Sequence, residues 1–197
     1  MIPENFKNYL INKGGLTLSE FDHLASSLQS KKVSKGHTFL REGEVCQQSF
    51  FVEQGLLRSF TIDDSGKEHI IQFAPENWFI SERSSIFFNE PAEFFIEAIE
   101  DSTVVLIDKD FMIIAAELSA VFREYNERLL HNHIRHLQKR VNQLLSAPAE
   151  KRYLNFINLY PDLLLRVPQW MIASYLGITP ESLSRVRKDL ATKNFKQ

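Results

Sequence analysis

At 197 residues the chain exceeds the commonest domain size, which favours one medium domain with a smaller one appended. Hydrophobic residues make up 44% of it, enough for a core, yet no apolar run approaches the ~20 residues of a membrane helix. Residues 1–15 carry Glu4, Lys7 and Lys13 among their apolar positions and show no export signal, so a soluble, cytoplasmic protein is expected.

The single cysteine, Cys46, excludes an intramolecular disulfide and any all-cysteine metal or iron-sulfur site within one chain. Without a second thiol to resolve an oxidised form, it reads as a buried bystander. The net charge is −2, but residues 147–197 hold 8 Lys and Arg against 4 Asp and Glu, whereas residues 1–146 hold 15 against 21. An acidic module joined to a basic, phosphate-seeking one is the implication.

In chain order, Leu16 to Leu28 reads as a short helix, with Thr17 or Ser19 as its cap and Phe21, Leu24, Ala25 and Leu28 as its apolar stripe. From Val33 short apolar runs take over: Thr38 to Leu40, Ser49 to Glu53, Leu56 to Ile62, His69 to Phe73, Phe94 to Ile99 and Thr103 to Ile107. Turn signals at Lys35-Gly36, Glu42-Gly43, Gln54-Gly55, Asp63 to Gly66 and Pro75 to Asn77 separate them, as in a β-sandwich or barrel. Gly66 supplies the left-handed residue that a tight hairpin needs.

Helical character returns at Asp110 and runs to about Leu145. Leu130, Ile134, Leu137, Val141 and Leu144 follow heptad spacing, while Leu118, Phe122, Tyr125 and Leu129 make an earlier stripe at another phase. One stripe is expected to pack on the β-domain and the other on a partner subunit; burial of both within one chain is the alternative. Pro148 breaks the helix at Ser146-Ala147, which places a domain boundary there. Ala149 to Tyr160 follows as a helix, closed by Pro161-Asp162.

The most informative stretch is Pro168 to Leu190. Gln169 to Leu176 continues a helix begun at Pro168, and Gly177 ends it. Thr179 then caps a second helix with Pro180 at its first position and Leu183, Val186 and Leu190 as its buried stripe. Ala173 is small where the helices cross, and Ile178, Leu183 and Val186 close a miniature core. This is a helix-turn-helix. The second helix exposes Glu181, Ser182, Ser184, Arg185 and Lys188, a face suited to a major groove: Arg pairs bidentately with guanine, Glu accepts from cytosine, and Ser or Thr (here with Thr179) reaches phosphate. An ordinary solvated helix face is the competing reading.

The order of β-roll, long helix and helix-turn-helix resembles the cyclic-AMP receptor / fumarate-nitrate regulator (Crp/Fnr) superfamily along nearly the whole chain. Lys35-Gly36, Leu40, Glu42-Gly43-Glu44, Phe50-Phe51-Val52, Gly55, Gly66-Lys67-Glu68 and Trp78-Phe79-Ile80 are similar to its glycine-punctuated β-roll. Thr179-Pro180-Glu181-Ser182-Leu183-Ser184-Arg185 is similar to its recognition helix, where Glu181 and Arg185 fall at base-reading positions and Pro180 replaces an Arg.

The resemblance implies an α+β protein: an N-terminal double-stranded β-helix (jelly-roll) domain of the cyclic-nucleotide-binding type at 1–109, a dimerisation helix at 110–146 and a helix-turn-helix domain at 147–197. It also implies a pocket near Ser81, Glu82, Arg83, Ser84, Glu93, Phe94 and His136. In nucleotide-binding members a Gly-Glu pair and an Arg-Ser pair about ten residues onward hold ribose and phosphate. Here Ser81-Glu82 takes the first place, and Ala92-Glu93-Phe94 brings a carboxylate where the cation belongs. That argues against cyclic AMP, although Arg83 offers a cation from a shifted position.

His131, His133 and His136 invite a haem or metal reading, but only His133 and His136 share a face; solvated or interface histidines fit better. Phe87, Phe88, Phe94 and Phe95 could line an apolar pocket, although β-roll core accounts for such aromatics more simply. No effector or cofactor is evident. The family often adds a β-hairpin wing, for which the seven residues after Leu190 leave no room, so Lys193, Lys196 and the preceding helices are expected to supply backbone contacts.

The function expected is therefore a homodimeric transcription regulator binding double-stranded, pseudo-palindromic operators, with RNA polymerase as a further partner and no membrane association. An effector-binding or protein-interaction module with a degenerate helix-turn-helix is the alternative. No catalytic triad, phosphate loop or metal-ligand spacing points to an enzyme.

Overall fold

The structure, a computed structural model, describes residues 2–194. These form two compact units: one of residues up to Ile62 together with Ile71–His131, the other of Asp63–Ile70 together with the residues from Asn132 onward. In chain order the elements are α1 (Glu4–Asn12), α2 (Leu18–Leu24) with a 3-10 turn at Ala25–Ser27, β1 (Gln29–Val33), β2 (Thr38–Leu40), β3 (Gln48–Gln54), β4 (Leu57–Ile62), β5 (Glu68–Ala74), β6 (Phe79–Ile80), α3 (Arg83–Phe88), β7 (Phe95–Ala98), β8 (Ser102–Asp108), α4 (Lys109–Leu118), α5 (Ala120–Ser146), α6 (Ala149–Leu159), α7 (Leu163–Arg166), α8 (Gln169–Leu176) and α9 (Pro180–Asn194). The mixed α and β architecture is the expected one.

In the first unit two four-stranded sheets, ordered β1-β8-β3-β6 and β2-β7-β4-β5, make the β-roll. Strands β3 and β8 pair antiparallel and are covered on both faces, so their period-two side chains divide between two cores. Phe50, Val52 and Val104 join Leu57, Ile96 and Ala98 in one core; Phe51, Val105 and Ile107 point the other way, to Phe6, Leu10, Phe21, Phe111 and Phe122. Each fully buried Phe contributes about 1.5–3 kcal/mol to such a core.

Three features depart from sequence expectation. The N-terminal α1 begins at Pro3 with no side-chain cap of its own. Instead Glu53, at the end of β3, accepts from the backbone N–H groups of Asn5 (3.0 Å) and Phe6 (2.9 Å), satisfying orphan donors at a distance of nearly fifty residues. The second is α3, a short helix not expected from the sequence, in the segment where the resemblance places an effector pocket. Third, the helix expected to run unbroken from Asp110 to Leu145 is two helices. Ser119 closes α4 with extended backbone (φ −129°, ψ 115°), and its hydroxyl accepts from the N–H of Phe122 at 3.3 Å, starting α5 afresh. The break separates Leu118 from Phe122, Tyr125 and Leu129, which lie on α5 together with the later stripe. The expected helix at Leu16 to Leu28 is shorter, with Thr17 and Glu20 forming a capping box at its start.

The second unit gathers α6 to α9, the later part of α5, and the hairpin Asp63–Ile70. Tyr153, Phe156, Tyr160, Leu163, Ile172, Ala173, Leu176 and Leu183 are buried, and the rings of Phe156, Tyr160 and Tyr175 lie 5.3–5.8 Å apart, a spacing at which edge and tilted contacts add to burial. At the hairpin turn Gly66 has φ +81° as anticipated, and Asp63 accepts from the N–H groups of Ser65 (2.9 Å) and Lys67 (3.1 Å). The hairpin is fastened to α8: the Ser174 hydroxyl accepts from the Ile70 N–H (2.9 Å) and donates to the Glu68 carbonyl (3.1 Å). Arg140 of α5 donates to the Ile70 carbonyl at 3.0 Å while lying 3.7 Å over the Tyr175 ring.

Candidate nucleic-acid interface

Helices α8 and α9 form the expected helix-turn-helix. The extended backbone of Pro168 precedes α8, and Gly177 ends it in the left-handed region (φ +65°, ψ 39°), with its N–H directed at the Ala173 and Ser174 carbonyls. A Cβ at this position would come 3.1 Å from Cδ2 of Leu144, so both backbone and space favour glycine. Thr179 caps α9 by accepting from the Ser182 N–H at 3.2 Å. Leu183 is buried and Val186 and Leu190 are half-buried, which fixes the rotation of α9 and turns its opposite face outward.

On that outward face Glu181, Ser184, Arg185 and Lys188 are exposed, and Ser182 is half-buried beside the cap. The Glu181 carboxyl is held below its ordinary value, first by its own backbone N–H, then by the Thr179 hydroxyl, with burial opposing slightly and the Arg185 charge one turn on assisting. The face thus carries an ionised acceptor and two cations on one rigid helix, a donor and acceptor set that base edges and phosphates can both engage. Two residues that sequence reasoning passed over border it. Arg187 Nη1 donates to Gln169 Oε1 at 2.6 Å, and Gln169, Pro180, Ser184, Arg187 and Lys188 line one open cleft between α8 and α9. The signal was available in the spacing of Pro180, Ser184 and Arg187, which repeats one helix line. Lys193 pairs with Glu150 of α6 at 2.8 Å, and Lys196 lies outside the described residues.

In the segment expected to form an effector pocket, several polar groups are engaged by local contacts. Glu82 is buried and caps α3, accepting from the Ser85 N–H at 2.5 Å; the Ser85 hydroxyl donates to the Glu90 carbonyl, also at 2.5 Å. The guanidinium of Arg83 lies 4.5 Å over the Phe87 ring, and burial lowers its pKa. Ser81 and Ser84 are half-buried, Glu93 is exposed, and Phe94 is half-buried against the inter-sheet core. Phe87 and Phe88 are 49% and 74% exposed and so lie on the surface, not in a core or pocket. Phe95 stacks on Phe60 with centroids 5.1 Å apart.

Along α5 the five residues expected to pair subunits, Leu130, Ile134, Leu137, Val141 and Leu144, are 38–55% exposed. The earlier stripe is split: Phe122 is buried, whereas Leu118 at the end of α4 is exposed. His131, His133 and His136 are exposed on α5, and among the described residues no group of three His, Cys, Asp or Glu is placed to hold a metal ion. None of the described helices is long and apolar enough to cross a membrane.

Comparison with known proteins agrees with this architecture. Residues 30–116 match the family model of the cyclic nucleotide-binding domain. The chain is 25% identical over 183 residues to the anaerobic regulatory protein of Pasteurella multocida (strain Pm70), an alignment covering 87% of this chain and 66% of that protein. It is 26% identical over 183 residues to the fumarate and nitrate reduction regulatory protein of Vibrio cholerae, covering 87% and 72%. Among solved structures, FixK2 from Bradyrhizobium japonicum superposes with a TM-score of 0.69 at 22% identity, covering 85% of this chain and 86% of that one. The matched relatives bear the names of regulators, not of enzymes. The chain is thus a homologue of the Crp/Fnr regulators and carries a cyclic nucleotide-binding domain fold at residues 30–116.

Proposed function

We propose that the protein is a cytoplasmic transcription regulator that binds double-stranded DNA through α9, as a homodimer paired along Leu130, Ile134, Leu137, Val141 and Leu144. The observation that carries this reading is the capped, Gly177-terminated helix pair that buries Leu183 and turns Glu181, Ser184, Arg185 and Lys188 outward together. Thr179 and Ser182 stand at the entry of the reading helix, where hydroxyls reach phosphate. The five exposed apolar side chains at heptad spacing favour a second copy as the occupant of that strip, because a coiled-coil seam is self-complementary. In such a dimer the two reading helices enter successive major grooves about 34 Å apart, and operators are pseudo-palindromic.

Functionally the chain divides into a β-roll domain at 1–109, a pairing helix region at 110–146 and a DNA-binding domain at 147–197. The Ser81–Phe94 segment is not a cyclic-AMP site in this reading, since Glu93 supplies negative charge where a cation belongs, and Glu82 is buried with Oε2 engaged by the Ser85 N–H of α3. His136 is left without a ligand role. Selection of bound fragments from genomic DNA tests the whole reading: enriched two-fold-symmetric sequences are expected, and recovery of no sequence above background overturns it. On such an operator, Arg185→Ala is expected to cost about 1–3 kcal/mol of specific binding. Leu137→Asp should convert a dimer into a monomer in sedimentation analysis, whereas a wild-type monomer would refute the pairing.

A further inference from the structure

Beside the base-reading face of α9 lies a second polar strip. Pro180, Ser184 and Arg187 follow one another at four- and three-residue steps, so they align along the helix on the side that faces the start of α8. The cleft they border is closed by Gln169 in the first turn of α8 and by Lys188. Pro180 contributes no amide hydrogen and little bulk, which keeps one end of the cleft open. The contact between Arg187 and Gln169 is 2.6 Å, guanidinium to neutral amide oxygen.

Among the described residues no carboxylate pairs with Arg187 or Lys188, in contrast to Lys193, whose charge Glu150 neutralises. Two uncompensated cations, one of them held in place by an amide, and a hydroxyl thus converge on a shallow, solvent-open cleft. Such a cleft fits an anion with several acceptor oxygens, and an arginine whose rotamer is already fixed loses less freedom on engaging it.

We propose that Arg187, oriented by Gln169, forms with Ser184 and Lys188 a seat for a DNA backbone phosphate, flanking the groove that α9 reads. This rests on the DNA-binding reading and deepens it. With α9 in the major groove, the first helix of a helix-turn-helix crosses the phosphate backbone, and the cleft lies on the α8 side of α9, where that backbone passes. Arg187 is therefore a positioning residue: it sets how deeply and in what register α9 enters, and it carries no sequence information. Gln169 acts through Arg187.

The test uses the full-length protein and two duplexes of equal length, an operator recovered by selection and a scrambled version of it, titrated over a range of salt. Removing one phosphate-binding cation makes the slope of log affinity against log salt shallower by about 0.9. Arg187→Ala is accordingly expected to weaken both duplexes by the same factor, about eightfold per subunit at 0.1 M salt, with a shallower slope. Arg187→Lys should retain the slope, because the charge stays, and lose part of the affinity. Gln169→Ala should weaken binding by a smaller factor with the slope unchanged.

The thermal transition of each variant is expected to match that of the wild type, since Arg187 is exposed. Arg185→Ala, by contrast, should lower affinity for the operator far more than for the scrambled duplex. If Arg187→Ala leaves affinity and slope unchanged while the wild type binds DNA, the seat is refuted and the function stands. If Arg187→Ala acts on the operator alone, the residue reads bases and the positioning role is refuted. A wild-type protein with no salt-dependent affinity for either duplex overturns the DNA-binding reading, and the seat with it.

Discussion

Two polar segments, Ser81–Phe94 in the β-roll and Thr179–Lys188 in α9, show opposite uses of similar residue types. Each has, at or next to its start, a residue that caps a helix. In the first, the capping residue is the buried Glu82, and the polar atoms beside it are held locally: the Ser85 hydroxyl by the Glu90 carbonyl, the exposed Arg83 over the Phe87 ring. In the second, the cap is the short hydroxyl of Thr179, and Glu181, Ser184, Arg185 and Lys188 remain exposed beyond it. The difference is one of presentation: Glu82 is buried with a backbone donor on it, whereas the α9 side chains stand exposed on a rigid element.

That contrast can be broken experimentally. The largest effect is expected from the residue that holds the second segment in shape. Leu183→Ala removes a buried side chain under α9 and should cost about 2–5 kcal/mol, measured by denaturant titration, together with loss of DNA binding; a fully stable Leu183→Ala protein would show that α9 is not anchored there. Glu82→Ala should cost about 0.5–2 kcal/mol through loss of the α3 cap and leave affinity for an operator duplex unaltered. Cyclic AMP should give no heat on titration into the wild type, and saturable binding would overturn the structural assignment of Glu82.

The smallest effect concerns the hairpin attached to α8. His69, the Ser65 hydroxyl and the Lys67 N–H hold the Asp63 carboxyl well below the usual carboxylate range. A carboxyl depressed on folding stabilises the folded state above its unfolded pKa, near 4, and that contribution is lost as pH falls through the folded value. Asp63→Asn should therefore lower stability slightly at neutral pH and leave it unchanged at low pH, so that the acid limb flattens by the same small amount, as expected for an exposed pair. An unchanged acid limb would remove Asp63 from the account.

What the sequence disclosed follows from the range of the interactions involved. The α8–α9 turn was legible because its determinants are local: Gly177 two residues before Thr179, and Pro180 immediately after. Strands β3 and β8 were legible from apolar runs. The edge strand β1, Gln-Ser-Lys-Lys-Val, is mostly exposed and carries no alternation to detect. Helix α1 depends on Glu53, and the cleft at Arg187 depends on Gln169 eighteen residues earlier; neither partner is visible from local pattern. The hydrogen bond from α3 to Glu82 was also hidden, because motif similarity reports position and not which hydrogen bonds are already made.

Ser119 has a mechanical consequence. In one uninterrupted helix, inserting or deleting a single residue would rotate everything beyond it by about 100°, since 3.6 residues complete a turn. The extended backbone at Ser119 acts as a phase reset: α5 takes its starting angle from the hydroxyl contact with Phe122, not from α4. Length changes upstream of Ser119 can then be absorbed without rotating the strip from Leu130 to Leu144. What still fixes the bearing of that strip is the packing of Phe122 in the core it shares with Phe51 and Phe111.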